Sequence, residues 1–339
     1  CPACPDAVSA CAACLTAMSL EVPVIDLSQG EEQVAAALKH ACESVGFFYL
    51  AGHGVSEELM GRLFAANRAL FGLPLEQKRA MTADANNRGW TPFREETLDP
   101  SVQTTGDTKE GFYFGRDIPA DSPEASLPLH GPNQWPREEL VPGYRATAEA
   151  YLAAMMALGA RMLRVLALSL GLPPAHFERH FTSPMVFLRP LHYDATRSDP
   201  DAGVFGAGAH TDYGLLTFLA TDEVPGLQIH AGGAWRDVAP RPGCLIVNLG
   251  DMLERWTNGR YRSTLHRVVT RGGQERYSVA CFYEPNFTAR VECLPCCCGP
   301  DAPPRYPPTT AGQHILDKYA STHAGYTGPL TADSSKGTA

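Results

Sequence analysis

In the stretch GAHTDYGLLTFL, residues 208 to 219, His210 and Asp212 stand two positions apart inside an otherwise apolar run. Side chains at i and i+2 of a strand point to the same face, so this imidazole and carboxylate can converge on one ion. A third ligand must come from elsewhere, and NGRYRSTLHRVV offers His266 at the head of another β-rich run. Two histidines and one carboxylate bound to one face of an octahedron leave the opposite face open, the arrangement suited to non-haem Fe(II) and oxygen chemistry. The same residues also admit a structural reading: His210 caps a turn, Asp212 pairs with an arginine, and His266 is a hydrogen-bonded core histidine.

Arg276 and Ser278, in ERYSVACF, repeat the i, i+2 spacing ten residues after His266. A guanidinium on an inward face needs a carboxylate, and a neighbouring hydroxyl can donate a second hydrogen bond. Glu275 should point to the other face, so the natural partner is a carboxylate that arrives as a ligand. A salt bridge to a distant aspartate is the competing reading.

These residues need rigid elements to hold them. VPVIDL reads as a short strand, with Ser28 ready to cap a helix over Glu31 to Val45. GFFYLAGHG follows as a strand and glycine-rich turn, then SEELMGRLFAANRALFGL as a helix closed by Gly72 and Pro74. Residues 84 to 142 read as loops around one strand, EGFYFG, and a long helix runs from about Tyr144 to Leu170. From Pro184 to about Arg290 short β-rich runs alternate with turn residues, which predicts a sandwich or closed jelly-roll sheet. TAGQHILDKYASTH reads as a last helix. The expected organisation is a tail over residues 1–20, an N-terminal helix-and-strand region over 21–142, a long helix plus catalytic core over 143–323, and a polar tail over 324–339.

Composition narrows the function. With 339 residues, 44% hydrophobic and 19% charged, the chain is globular, and its net charge of −9 argues against a phosphate-tracking nucleic-acid binder. The longest apolar candidate for a membrane span, AYLAAMMALGARMLRVLALSLGL, carries Arg161 and Arg164 and reads as a buried amphipathic helix. The first basic residue is Lys39, so neither a secretory n-region nor an Arg-rich transit pattern is present, and a cytoplasmic monomer is expected. Of eleven cysteines, Cys1, Cys4, Cys11 and Cys14 spell C-x2-C-x6-C-x2-C, a spacer shorter than zinc ribbons use, in a segment without Lys, Arg or aromatic residues. A loose tail is expected there, a solvent-facing loop around Cys293, Cys296, Cys297 and Cys298, and a packed thiol at Cys281.

Taken together, H-T-D, then GDMLERWTNGRYRSTLHRV, then R-Y-S and FYEPN resemble the isopenicillin-N-synthase-like, 2-oxoglutarate- and Fe(II)-dependent dioxygenases. VPVIDLS, VGFFYLAGHGV and LPLEQKRAM resemble the preceding region of that family, so the resemblance covers about residues 21 to 322. It implies a mostly β fold with flanking helices, a double-stranded β-helix (jelly-roll) core beneath a helical N-terminal region. It also implies that His210, Asp212 and His266 bind Fe(II), that Arg276 and Ser278 hold the distal carboxylate of 2-oxoglutarate, and that O2 is consumed in oxidising a small organic molecule. Tyr193, in RPLHYD, sits where the family often places a tyrosine that reaches the co-substrate, although Leu191 replaces an asparagine common in plant members. The small Gly206-Ala207-Gly208 lead-in is expected to let ligands approach closely. Phe282 and Glu284 share the strand face of Arg276 and Ser278 and are expected to wall the substrate site. Arg94, with Trp90 and Phe93, and Phe112, with Phe114, are expected to complete that wall. Two alternatives are an Fe(II) oxidase that works without 2-oxoglutarate and a non-catalytic sensor of a small acid. Because residues 1 to 17 show no apolar periodicity, deleting them should leave folding, iron binding and turnover intact. A large fall in melting temperature, or stoichiometric zinc lost with the deletion, would make the cysteine cluster structural.

Overall fold

Two strands from the start of the chain are drawn into the main sheet. In the computed structural model, which describes residues 21–322, β1 (Val24–Asp26) and β2 (Phe47–Ala51) pair in parallel and are joined by helix α1 (Glu31–Ser44). Helices α2 (Glu57–Phe71) and α3 (Leu75–Arg79), then strands β3 (Gly89–Thr91) and β4 (Lys109–Gly115), lead to the long helix α4 (Tyr144–Ser169). The core strands are β5 (Met185–Tyr193), β6 (Ala207–His210), β7 (Leu216–Thr221), β8 (Leu227–Ala231), β9 (Ala234–Asp237) and β10 (Leu245–Leu249). After helix α5 (Asp251–Trp256) come β11 (His266–Val268), β12 (Arg276–Glu284), the short pair β13 (Arg290–Val291) and β14 (Thr309–Thr310), and helix α6 (Ala311–Thr322).

The strands form an eight-stranded sheet, β1-β2-β10-β7-β12-β5-β4-β3, and a four-stranded sheet, β6-β11-β8-β9. Apolar residues from both sheets meet in two clusters, one with Phe47, Tyr49, Ile229 and Ile246, the other with Leu191, Tyr193, Ala207 and Val268. These are the two walls of the jelly roll. The outer face of the large sheet is covered by α1, α2 and α4, whose buried residues join Phe112, Phe114, Leu188 and Phe218 in the main core. Strands buried on both faces read as continuous apolar runs, and β5 is buried at every position.

Local signals account for most boundaries. Ser56 caps α2 by accepting the Leu59 N–H. The cap expected from Ser28 does not form: its N–H and hydroxyl both bond Asp26, and Gly30 occupies the cap position of α1. The strands β6 and β3 and the single-turn helices α3 and α5 escaped the sequence pattern because each is too short to show a period. By length and composition α4 could cross a membrane, yet here it packs on α1 and α2 and buries Tyr151, Met155, Met162 and Leu166. Cys296 and Cys297 lie in a single 3-10 turn with Cys293 before it and Cys298 after it; all four are free thiols, Cys296 exposed and Cys293, Cys297 and Cys298 partly buried. Cys281 is fully buried in β12, as expected. The N-terminal cysteine group and the polar tail lie outside the described residues.

One contact tunes the seat of β12 on its helix. A Cβ at Gly159 of α4 would lie 2.4 Å from Cε2 of Tyr283, whose buried ring cannot swing away. Gly159→Ala should therefore lower stability by about 1 kcal/mol, overpacking outweighing the gain in helix propensity, and Gly159→Val should cost more. Urea unfolding checks this. Unchanged or raised stability in both variants would show that the helix shifts freely over the sheet.

Candidate active site

His210 ends β6, Asp212 follows it in the turn to β7, and His266 opens β11, directly opposite His210 in the small sheet. The ligand atoms of the three lie within 4.8 Å of one another. The two imidazole centroids are 4.3 Å apart, and each Nε2 lies near Asp212 Oδ1, at 3.9 Å for His210 and 3.7 Å for His266. Each histidine uses Nδ1 on a backbone carbonyl, His210 on Gly208 at 2.8 Å and His266 on Thr264 at 3.0 Å. A carbonyl only accepts, so Nδ1 carries the proton and the Nε2 lone pair faces Asp212. Asp212 Oδ2 is held by Thr217 Oγ1 and Asn248 Nδ2, both at 2.6 Å, which leaves Oδ1 for the centre. Burial alone would raise the Asp212 pKa, but the two histidines and these hydrogen bonds hold it below the usual value. Burial and the neighbouring His266 push His210 down to about 4, so it is a neutral ligand at physiological pH. Backbone N–H groups at the start of α5 bond the carbonyls of Asp212, Tyr213, Gly214 and Leu215, fixing the turn that carries Asp212. Two neutral imidazoles and one oriented carboxylate, converging from one side of a cavity of about 130 Å³, fit a first-row divalent ion with open positions.

Arg276 lies on the floor of the same cavity and is only 2% exposed. Its Nε donates to the Val224 carbonyl at 3.2 Å, Nη1 meets Ser278 Oγ at 3.3 Å, and the guanidinium packs over the Tyr193 ring at 4.8 Å. Among the described residues it makes no ion pair. Asp222 is nearby, but its two oxygens accept the Tyr277 and Val224 N–H groups. Glu275 points outward, as expected, and accepts from the Tyr277 hydroxyl at 3.0 Å. A buried guanidinium with an open carboxylate-binding edge is a seat for an incoming acid.

Comparison with known proteins agrees with this geometry. Residues 182–285 match the 2OG-Fe(II) oxygenase superfamily, and residues 22–138 match the family described as non-haem dioxygenase in morphine synthesis N-terminal. The 2-oxoglutarate-Fe(II) type oxidoreductase hxnY of Emericella nidulans is 38% identical over 319 residues, covering 89% of this chain and 90% of that relative. Kihadalactone A synthase LFS of Citrus sinensis is 36% identical, with 88% and 93% covered. A full-length Neurospora crassa protein crystallised with α-ketoglutarate and thymine superposes with a TM-score of 0.79 at 28% identity, covering 88% of this chain and 96% of that one. The chain belongs to the 2-oxoglutarate- and Fe(II)-dependent oxygenases. An Fe(II) oxidase that dispenses with 2-oxoglutarate, and a non-catalytic sensor, are set aside with it.

The substrate side of the oxygenase differs from its sequence-based expectation. Phe282 and Glu284 line the cavity, as does Tyr193, but Arg94 and Phe112 do not. Phe112 and Phe114 face the opposite side of β4 and pack on Tyr144 of α4, while Tyr113 between them faces the cavity. Three aromatics in a row must split between two faces, and only strand pairing decides which one points inward. Trp90 lies behind the sheet, donating to Glu110 at 2.7 Å, and Phe93 packs on His192. Arg94 sits in a turn with positive φ, and the cavity is reached two residues later by Glu96. Gly208 gives room not to a ligand but to a loop: a Cβ there would lie 2.1 Å from Gln103 Oε1.

Several site residues escaped the sequence reading. Thr217 and Asn248 orient Asp212, and Lys109 and Arg189 line the cavity floor beside Tyr193 and Tyr113. Each is a polar residue inside an apolar strand, which is a signal, but one that does not say which face is functional. For this oxygenase Asn248→Ala should weaken Mn(II) or Co(II) binding about 10- to 100-fold, with Thr217→Val also lowering affinity. Calorimetric titration of the metal-free protein measures it, and unchanged affinity in both variants would show that Asp212 needs no clamp.

Proposed function

We propose that this oxygenase hydroxylates a small organic molecule, with His210, Asp212 and His266 holding Fe(II) and Arg276 receiving the distal carboxylate of 2-oxoglutarate. Ser278 and the face of Tyr193 complete that seat. The observation that carries the reading is the unpaired Arg276: a buried cation without a carboxylate costs several kcal/mol, and a diacid co-substrate supplies the missing charge. When bound, Fe(II) and 2-oxoglutarate supply the O2-dependent oxidising chemistry that side chains lack, with succinate and CO2 as co-products.

The chain's own part is positional. The proton-bearing Nδ1 atoms of both histidines stay on backbone carbonyls, so the ligating nitrogens keep their lone pairs toward the centre. Phe282, Phe187 and Tyr113 present an aromatic surface beside the metal residues, which excludes water and suits a small ring compound better than a peptide. Thymine, bound by the Neurospora relative, is in keeping with such a surface.

Purified protein given Fe(II), 2-oxoglutarate and O2 should release succinate, slowly without substrate. Arg276→Lys keeps the charge but loses the planar fork, so the KM for 2-oxoglutarate should rise roughly tenfold or more. Absence of succinate would sink the activity, whereas an unchanged KM would place the distal carboxylate elsewhere.

A further inference from the structure

Along β12 the alternate residues Arg276, Ser278, Ala280, Phe282 and Glu284 all face the cavity, so the strand runs from a cation at one end to an acid at the other. Glu284 is 3% exposed. Its Oε2 accepts the Leu215 N–H at 2.6 Å, and among the described residues nothing bonds Oε1 and no cation pairs with the carboxyl. Gly214 is what admits the group: a Cβ there would lie 1.7 Å from Glu284 Oε1. The cations beside it on the same sheet are already neutralised. Lys109 is bonded by Asp107 and by Glu96, the latter at 2.9 Å, and Arg189 reaches Glu96 at 2.9 Å. Away from Arg276, the cavity therefore offers aromatic faces, no unneutralised Lys or Arg, and one carboxyl with a spare acceptor. Burial and the nearby Asp212 charge push that carboxyl up to about 8, because its charged form lacks a second donor, which an N–H or O–H arriving at Oε1 would supply.

We propose that Glu284 selects the substrate: Oε1 accepts a hydrogen bond from an N–H or O–H of a neutral or cationic ring compound, and the lack of an unneutralised cation beside it turns away substrates that carry a carboxylate. The assignment rests on the oxygenase reading above. It has a sharp consequence for Glu284→Gln. The Leu215 N–H fixes the amide oxygen in the place of Oε2, so the NH2 group takes the place of Oε1 and an acceptor becomes a donor.

The test uses the full chain with Fe(II), 2-oxoglutarate and O2, and reads succinate release above the substrate-free rate. The probes are uracil and 1,3-dimethyluracil, indole and 1-methylindole, and indole-3-acetate. The expected result is stimulation by uracil or indole, with the matching N-methyl compound at least about tenfold poorer in kcat/KM and indole-3-acetate inert. Glu284→Gln should lower kcat/KM for the stimulating compound about tenfold or more while the KM for 2-oxoglutarate stays within twofold, and Glu284→Asp should recover part of the loss. The wild-type comparison of methylated and unmethylated rings decides the matter even if the glutamine variant does not fold. Equal stimulation by the methylated ring, preference for the carboxylate, or no stimulation by either N–H compound would overturn the proposal. Failure to release succinate even without substrate would instead overturn the oxygenase reading on which it rests.

Discussion

The structure is organised around a carboxylate that has to be buried and still kept ionised. Asp212 is 8% exposed, in a medium where an isolated charge would be expelled or protonated. It survives because one oxygen is saturated by Thr217 and Asn248 and the other faces two imidazoles. Those partners come from four separate elements, β7, β10, β6 and β11, so both sheets must close before the charge is satisfied. The small sheet brings the histidines and the large sheet brings the clamp.

The same logic runs along the cavity floor. In the large sheet, Arg276 pairs across β5 with Tyr193 and then with Lys109 of β4, and Phe282 stands between Thr217 and Phe187. Each rung therefore carries side chains from three or more strands on one face. On the opposite face of β4 and β5, Glu110 accepts from Lys78, Trp90 and His192, a buried network that ties α3 and β3 to the strands bearing Lys109 and Tyr193. Such buried polar networks specify one arrangement more than they add net stability. Their value here is register: a slip of one residue would turn Tyr193 and Arg276 away from the cavity.

Closure of the cavity depends on segments distant in sequence. The last helix, α6, supplies Ile315 and Tyr319 to the wall, and His314 Nε2 donates to the Tyr213 carbonyl at 2.8 Å. Burial lowers the His314 pKa to about 4, so that contact is made by a neutral imidazole at ordinary pH. The turn after Asp212 is thus held on one side by α5 and on the other by α6.

The sequence by itself determined the chemistry. Arg276 with Ser278 was legible because a period of two places alternate strand side chains on one face, and His266 because it heads a strand. His210 and Asp212 converge for another reason, since β6 ends at His210 and the turn pinned by α5 carries the carboxylate. The long helix, the strands β5 and β7 to β12 and the last helix were legible because each is long or apolar enough to carry its own period. What only the tertiary structure decided was orientation where local pattern is symmetric or absent. Tyr113, rather than Phe112 or Phe114, faces the cavity because β4 pairs with β5 in one register of two. Glu96, rather than Arg94, reaches the cavity because Arg94 occupies a left-handed turn. Asn248 acquires its role from Asp212, and Glu284 finds room for its carboxyl against Gly214, through contacts that span 36 and 70 residues of chain. Nothing local encodes such contacts; they exist only once the two sheets have closed on each other.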